Sequence, residues 1–122
     1  MFHTILHYAN TPGLLEPKYL PAMNCQGHSL TMILINTASR LRKAIDAPEL
    51  TKQIDLSLEK LEKYFVHPEY KAILETVGLN GELIDTLNGR VINPGHCIET
   101  SWFILEEARY RNWDSHLVDL GT

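Results

Sequence analysis

The amino-acid sequence predicts an all-α fold with one short β-hairpin excursion. Three observations predict it. Apolar residues recur at helical spacing over three long windows, about 27–44, 46–67 and 94–111, the pattern of helices that bury one face. Two of those windows open on helix-start chemistry, Asp46-Ala47-Pro48-Glu49 and Asn93-Pro94. An Asp or Asn side chain there can accept from a free first-turn N–H, and proline suits the first helical position. Between the second and third windows, the turn dipeptides Asn80-Gly81 and Asn88-Gly89 separate short apolar runs, as hairpins do.

Met1 to Tyr8 fit either the end of a helix or a short strand. Asn10-Thr11-Pro12-Gly13 is a turn signal. Pro17 and Pro21 keep the residues before them extended, so about 10–24 is expected to be an ordered loop. The helix over about 27–44 places Leu30, Ile33, Leu34, Thr37, Ala38, Leu41 and Ile45 near one stripe. Met32 and Ile35 lie off that stripe, so its first half is apolar nearly all round, as in a helix buried between others. His28 stands at its start, either as a capping or core residue or as part of a site. In the next helix Asp46 is the expected N-cap. Leu50, Ile54, Leu58, Leu61 and Phe65 form a narrow stripe with charges outside it. The short gap between these helices predicts antiparallel neighbours. His67-Pro68 ends the second. Residues 70–77 and 82–92 are the expected extended segments, turning at Asn80-Gly81. The helix over about 94–111 carries Cys97, Ile98, Trp102, Phe103, Ile104, Leu105 and Ala108, and Asp114 can cap a last one.

A chain of 122 residues suffices for one domain with a modest core. Hydrophobic content of 44% and charged content of 21% are ordinary for a soluble protein. A net charge of −4 with no basic block argues against nucleic acid as a partner, since phosphate binding needs clustered Lys and Arg. No apolar run approaches the roughly 18 residues of a membrane span. Residues 1–8 lack the basic-then-apolar pattern of a secretory signal. No membrane partner is therefore expected, and the expected location is cytoplasmic. Cys25 and Cys97 fit reduced thiols there, and Cys97 reads as a small core residue rather than a nucleophile. HExxH, paired CxxC and GxxxxGK[ST] are all missing, so neither a metal nor a cofactor is expected.

The densest chemistry lies in Gly89-Arg90-Val91-Ile92-Asn93-Pro94-Gly95-His96-Cys97-Ile98-Glu99-Thr100-Ser101-Trp102-Phe103. With Asn93 as N-cap, His96 falls in the first turn. Glu99 at i+3 and Trp102 at i+6 share roughly its face. The helix dipole favours the neutral imidazole and a nearby carboxylate favours the charged one. That opposition suits a proton-transfer group near neutral pH. A helix start whose polar side chains only cap and hydrate it fits the same spacing.

Gly89-Arg90, Asn93-Pro94-Gly95-His96, Glu99 and Trp102-Phe103 resemble the N-acylglucosamine 2-epimerase family, which includes sugar epimerases, aldose–ketose isomerases and renin-binding proteins. The signature GR-x-x-NPGH-x-x-E-x-x-WF is matched without a gap. Pro12-Gly13-Leu14-Leu15-Glu16-Pro17 looks like a loop of these proteins. The resemblance implies part of an (α/α)6 barrel whose mouth holds the site. It also implies acid/base chemistry beside the carbonyl of an open-chain sugar. His96 inherits the role of acid/base and Glu99 that of orienting it. His28, Arg90 and Trp102 are candidate substrate-binding residues. Family members are much longer than this chain and carry a second catalytic histidine in a portion not matched here; His116 lies too close to the motif to be it.

The expectation is thus a single partial domain over 1–122, a central piece of a sugar 2-epimerase or isomerase, inactive alone. Its substrate would be an amino sugar or a related aldose. ATP, an activator in some members, has no phosphate-cradling loop here. Helix faces written for missing neighbours would drive homo-oligomerisation. The alternative is a non-enzymatic interaction module of the renin-binding kind. A glycoside hydrolase would need a carboxylate to partner Glu99 across a sugar bond, and none stands out.

Overall fold

The computed structural model describes residues 2–11, 14 and 24–122. The expected loop at 10–24, and with it Pro12 to Pro17, falls almost wholly outside the described residues. In chain order the elements are α1 (Phe2–Asn10), β1 (Cys25–Gly27), α2 (Ser29–Arg42) and α3 (Pro48–Tyr64). There follow β2 (Val66–His67), β3 (Ala72–Ile73), β4 (Thr76–Gly78), α4 (Pro94–Tyr110) and α5 (Ser115–Gly121). The described residues are mostly helical, with two small antiparallel sheets, and they close no barrel. The open choice for the first residues resolves to helix.

Helices α2 and α3 lie antiparallel. His28, at the start of α2, packs on Phe65 at the end of α3, and Arg42, at the end of α2, donates to Thr51 in the first turns of α3. The core between them holds Ile35, Ala38, Leu50, Ile54, Leu61 and Phe65, joined by Leu74, Val77 and Ile104. The α3 stripe is buried as its spacing predicts. The α2 stripe is rotated from expectation. Met32 and Ile35 are buried with Leu34 and Ala38, while Leu30, Ile33 and Ile45 are exposed. A helix apolar nearly all round offers two adjoining stripes, and packing on both α3 and α4 chooses between them.

Two helix starts follow their sequence signals. The Asn93 side chain accepts from the N–H groups of Gly95 and His96, and Asp114 accepts from Leu117 N–H. The start of α3 differs. Its N-cap position is Ala47, which makes no side-chain cap bond, and Asp46 lies one residue too early to serve. The proline at the first helical position sets this boundary, since its fixed φ suits the helix.

The extended region also differs. A hairpin forms, but between β2 and β3, where Val66 pairs with Ile73 and His67 with Ala72. Pro68 and Lys71 (φ 49°) shape its turn. β4 pairs with β1, where Cys25 faces Gly78 and Gly27 faces Thr76. Residues 82–92 form irregular chain with one turn at 87–90 rather than a strand. Asn80-Gly81 does mark a turn, with Gly81 at φ 90°, but the chain beyond it does not return along β4. The partner of β4 comes instead from about fifty residues upstream, a pairing that no local dipeptide encodes.

Candidate functional site

The β1–β4 ladder builds the site. Just beyond its Gly27–Thr76 rung, His28 N–H donates to the Glu75 carbonyl at 3.0 Å. That bond fixes the two backbones side by side where β1 passes into α2. His28 occupies the N-cap position of α2 in a helical conformation and makes no cap bond with its side chain. Its ring turns inward instead. It is fully buried, lies 5.7 Å from the Phe65 ring, and places Nε2 3.1 Å from Thr100 Oγ1.

The first turn of α4 supplies the third group. Asn93 fixes that turn, and His96 Nδ1 then lies 2.9 Å from Glu75 Oε1. His28 Nδ1 lies 3.9 Å from the same oxygen. Two imidazoles, each at a helix start, thus flank one carboxylate, with ring centroids 6.5 Å apart. Glu75 retains 18% side-chain exposure and His96 35%, so the group opens on the His96 side. His28 Nδ1 is buried without a hydrogen-bond partner among the described residues.

Burial pushes His28 below the ordinary histidine range. Glu75 pulls partly against this, and His96 adds to the lowering. A part-exposed imidazole bonded to a carboxylate through one nitrogen can exchange protons through the other. The three side chains also bring one donor atom each within 4.8 Å of one another, a nitrogen and carboxylate set of the kind that holds zinc or a similar cation.

The remaining candidates from the sequence lie apart from this cluster. Glu99 is exposed and has no hydrogen-bond or ion-pair partner among the described residues; the carboxylate on His96 is Glu75. Arg90 is exposed and bonds Asp85, with Nε 2.7 Å from Oδ1, which anchors the turn before α4. Gly89 is required there, because a Cβ would collide with the Ile84 carbonyl. Trp102 is half-exposed. Its ring lies against Phe103, with the Arg40 guanidinium over it at 5.7 Å. Cys97 is partly buried, with Sγ 3.6 Å from the Ile73 carbonyl. A depression of about 840 Å³ runs between Ile73, Pro94, Cys97, Ile98 and the end of α5. The His28–Glu75–His96 group does not line it.

Sequence reasoning missed Glu75. One signal was available, an acidic residue inside the otherwise apolar run Ala72-Ile73-Leu74-Glu75-Thr76-Val77. A carboxylate in such a run must find a partner if it is buried.

No family model matches the chain. It is 28% identical over 112 residues to the N-acylglucosamine 2-epimerase of Homo sapiens. It is 29% identical over 112 residues to the Bos taurus protein of that name, and 26% over 114 residues to that of Mus musculus. The chain fits a fragment of that family. Each match covers 88% of this chain but 26% of the relative, so the chain spans about a quarter of the length of the curated relatives it matches. Against the epimerase resemblance, the cluster gives a physical setting to the motif histidine. His96 leads α4, rests on Glu75, and keeps part of its ring open.

Proposed function

We propose that this chain carries part of the proton-transfer site of a sugar 2-epimerase or isomerase, with His96 as acid/base. The observation that carries the proposal is the His96–Glu75 pair at the capped start of α4, in a chain similar over most of its length to N-acylglucosamine 2-epimerases. In the open-chain form, the hydrogen beside a sugar carbonyl is acidic enough for an imidazole to remove. Reprotonation on the opposite face gives the epimer; protonation at the former carbonyl carbon gives the ketose. The substrate class is an amino sugar or related aldose. Glu99, exposed on α4 one turn after His96, and Arg90, exposed before that helix, are the proposed further contacts for that sugar.

A second shuttle is needed for the opposite face. His28 cannot be that shuttle, because its ring is sealed between Phe65 and Thr100. The chain alone is therefore expected to be inactive, and we propose that it works as part of a longer barrel or as an oligomer joined through its open helix faces. Free Cys25 and Cys97 suit a cytoplasmic setting, where thiols stay reduced.

In a longer version of the protein that epimerises, His96→Ala is expected to lower kcat by roughly 10²-fold or more. Unchanged turnover in that variant would end the assignment. Robust turnover by the 122-residue chain itself would show that one histidine suffices.

A further inference from the structure

We infer that Glu75 is the positioning residue of this site: it holds His96 through Nδ1–H and leaves Nε2 as the nitrogen that exchanges protons with the sugar. This assignment rests on His96 being the acid/base and adds the group that selects which of its nitrogens works.

An ionised carboxylate can only accept hydrogen bonds. With Glu75 Oε1 2.9 Å from Nδ1, the proton of neutral His96 resides on Nδ1, and the lone pair falls on Nε2. The carboxylate itself has little freedom. Its backbone carbonyl is tied to His28 N–H at 3.0 Å, beside the Gly27–Thr76 rung, and its side chain is mostly buried. Glu75 supplies the opposing charge already in place, so taking a proton on Nε2 requires no rearrangement of solvent.

His28 completes the division of roles. Its Nδ1 is 3.9 Å from the same Glu75 oxygen, beyond hydrogen-bond range, and its Nε2 is engaged with Thr100 Oγ1. It leaves the carboxylate to His96. Burial also holds His28 below the ordinary histidine range, which keeps a second imidazolium away from that one charge. Glu99 cannot take the part of Glu75, being exposed and unpartnered among the described residues.

The test uses the 15N-labelled chain and two-bond 1H–15N correlation of the histidine rings, read at high pH where the imidazoles are neutral. His96 is expected as the Nδ1–H tautomer. Glu75→Ala shifts it toward the Nε2–H form that a free imidazole side chain prefers. Glu75→Gln, whose amide oxygen can still accept, keeps Nδ1–H. Wild-type His96 with its proton on Nε2 overturns the inference without any variant, so the result stands even if Glu75→Ala does not fold. Persistence of Nδ1–H in a folded Glu75→Ala chain overturns it as well. In the longer, active protein Glu75→Ala is expected to lower kcat by roughly 10²-fold or more with KM little changed, and Glu75→Gln to recover part of the loss. A Glu75-dependent tautomer together with full activity in His96→Ala would remove the acid/base reading while leaving the positioning of the ring intact.

Discussion

At the scale of single residues, His28 shows what a buried imidazole does to stability. Desolvation lowers its folded pKa, only partly opposed by Glu75 and reinforced by His96, the two ionisable groups that face it. The unfolded chain then binds more protons than the folded chain over a window starting near pH 6.5, the ordinary histidine value. Stability from this source is complete above that pH. It is lost as pH falls from there through the lower folded value. Denaturant midpoints measured from pH 8 to pH 5 should therefore decline on the acid side, with a shallower decline in His28→Asn. An identical slope in that variant would show that His28 carries no linkage. The same residues show where sequence reasoning reaches its limit. His96 was legible because its geometry is local, as Asn93 caps the turn that presents it. Glu75 was not, because its partner stands 21 residues away, across the turns and irregular chain that separate β4 from α4.

At the scale of elements, legibility follows the range of the forces. The single-faced stripe of α3 and the caps of α4 and α5 are written in neighbouring residues, and the structure has them. The register of β4 and the buried face of α2 depend on distant partners, and both differ from the sequence expectation. Glu107 is a further case. By sequence it is one of several charges in the later turns of α4, yet it is fully buried. It accepts from Arg42 Nη2 and Arg111 Nε, each at 2.6 Å, while Arg111 reaches on to Asp55 and Arg42 stacks on Tyr110. One carboxylate thus ties α2 and, through Arg111, α3 to α4. Burial alone would push Arg111 down, but its bonds to Glu107 and Asp55 carry it above its ordinary range. Removing Glu107 strands a nearly buried guanidinium on Arg42. Glu107→Ala should cost about 3–5 kcal/mol in chemical denaturation. Arg42→Met combined with Glu107→Leu should recover most of that, because the uncompensated charge goes with it. A loss below about 1 kcal/mol in the single variant would mean that the network is not coupled to folding.

At the scale of the whole molecule, apolar faces remain open. Leu30 and Ile33, spaced i and i+3 along α2, are 44% and 45% exposed, and Ile98 and Trp102, spaced i and i+4 on α4, are 71% and 50% exposed. Both helices bury their opposite sides in the core, so these stripes are second faces rather than misplaced core residues. A monomer in water rarely leaves contiguous apolar patches much above roughly 300–600 Å². In a barrel, neighbouring helices would cover such faces; in this chain alone, a second copy is the available cover. The chain should therefore elute from size-exclusion chromatography as a dimer or larger, with the proportion rising with concentration. Leu30→Glu combined with Ile33→Lys should shift it to monomer while leaving the helical circular dichroism unchanged, since neither side chain contributes to the buried core. A clean monomer of the unmodified chain at high concentration would show that the open stripes carry no self-affinity. Continued association of the double variant would move the interface away from this part of α2. If both stripes mark where longer relatives place further helices, a chain extended by those helices should elute as a monomer without either substitution.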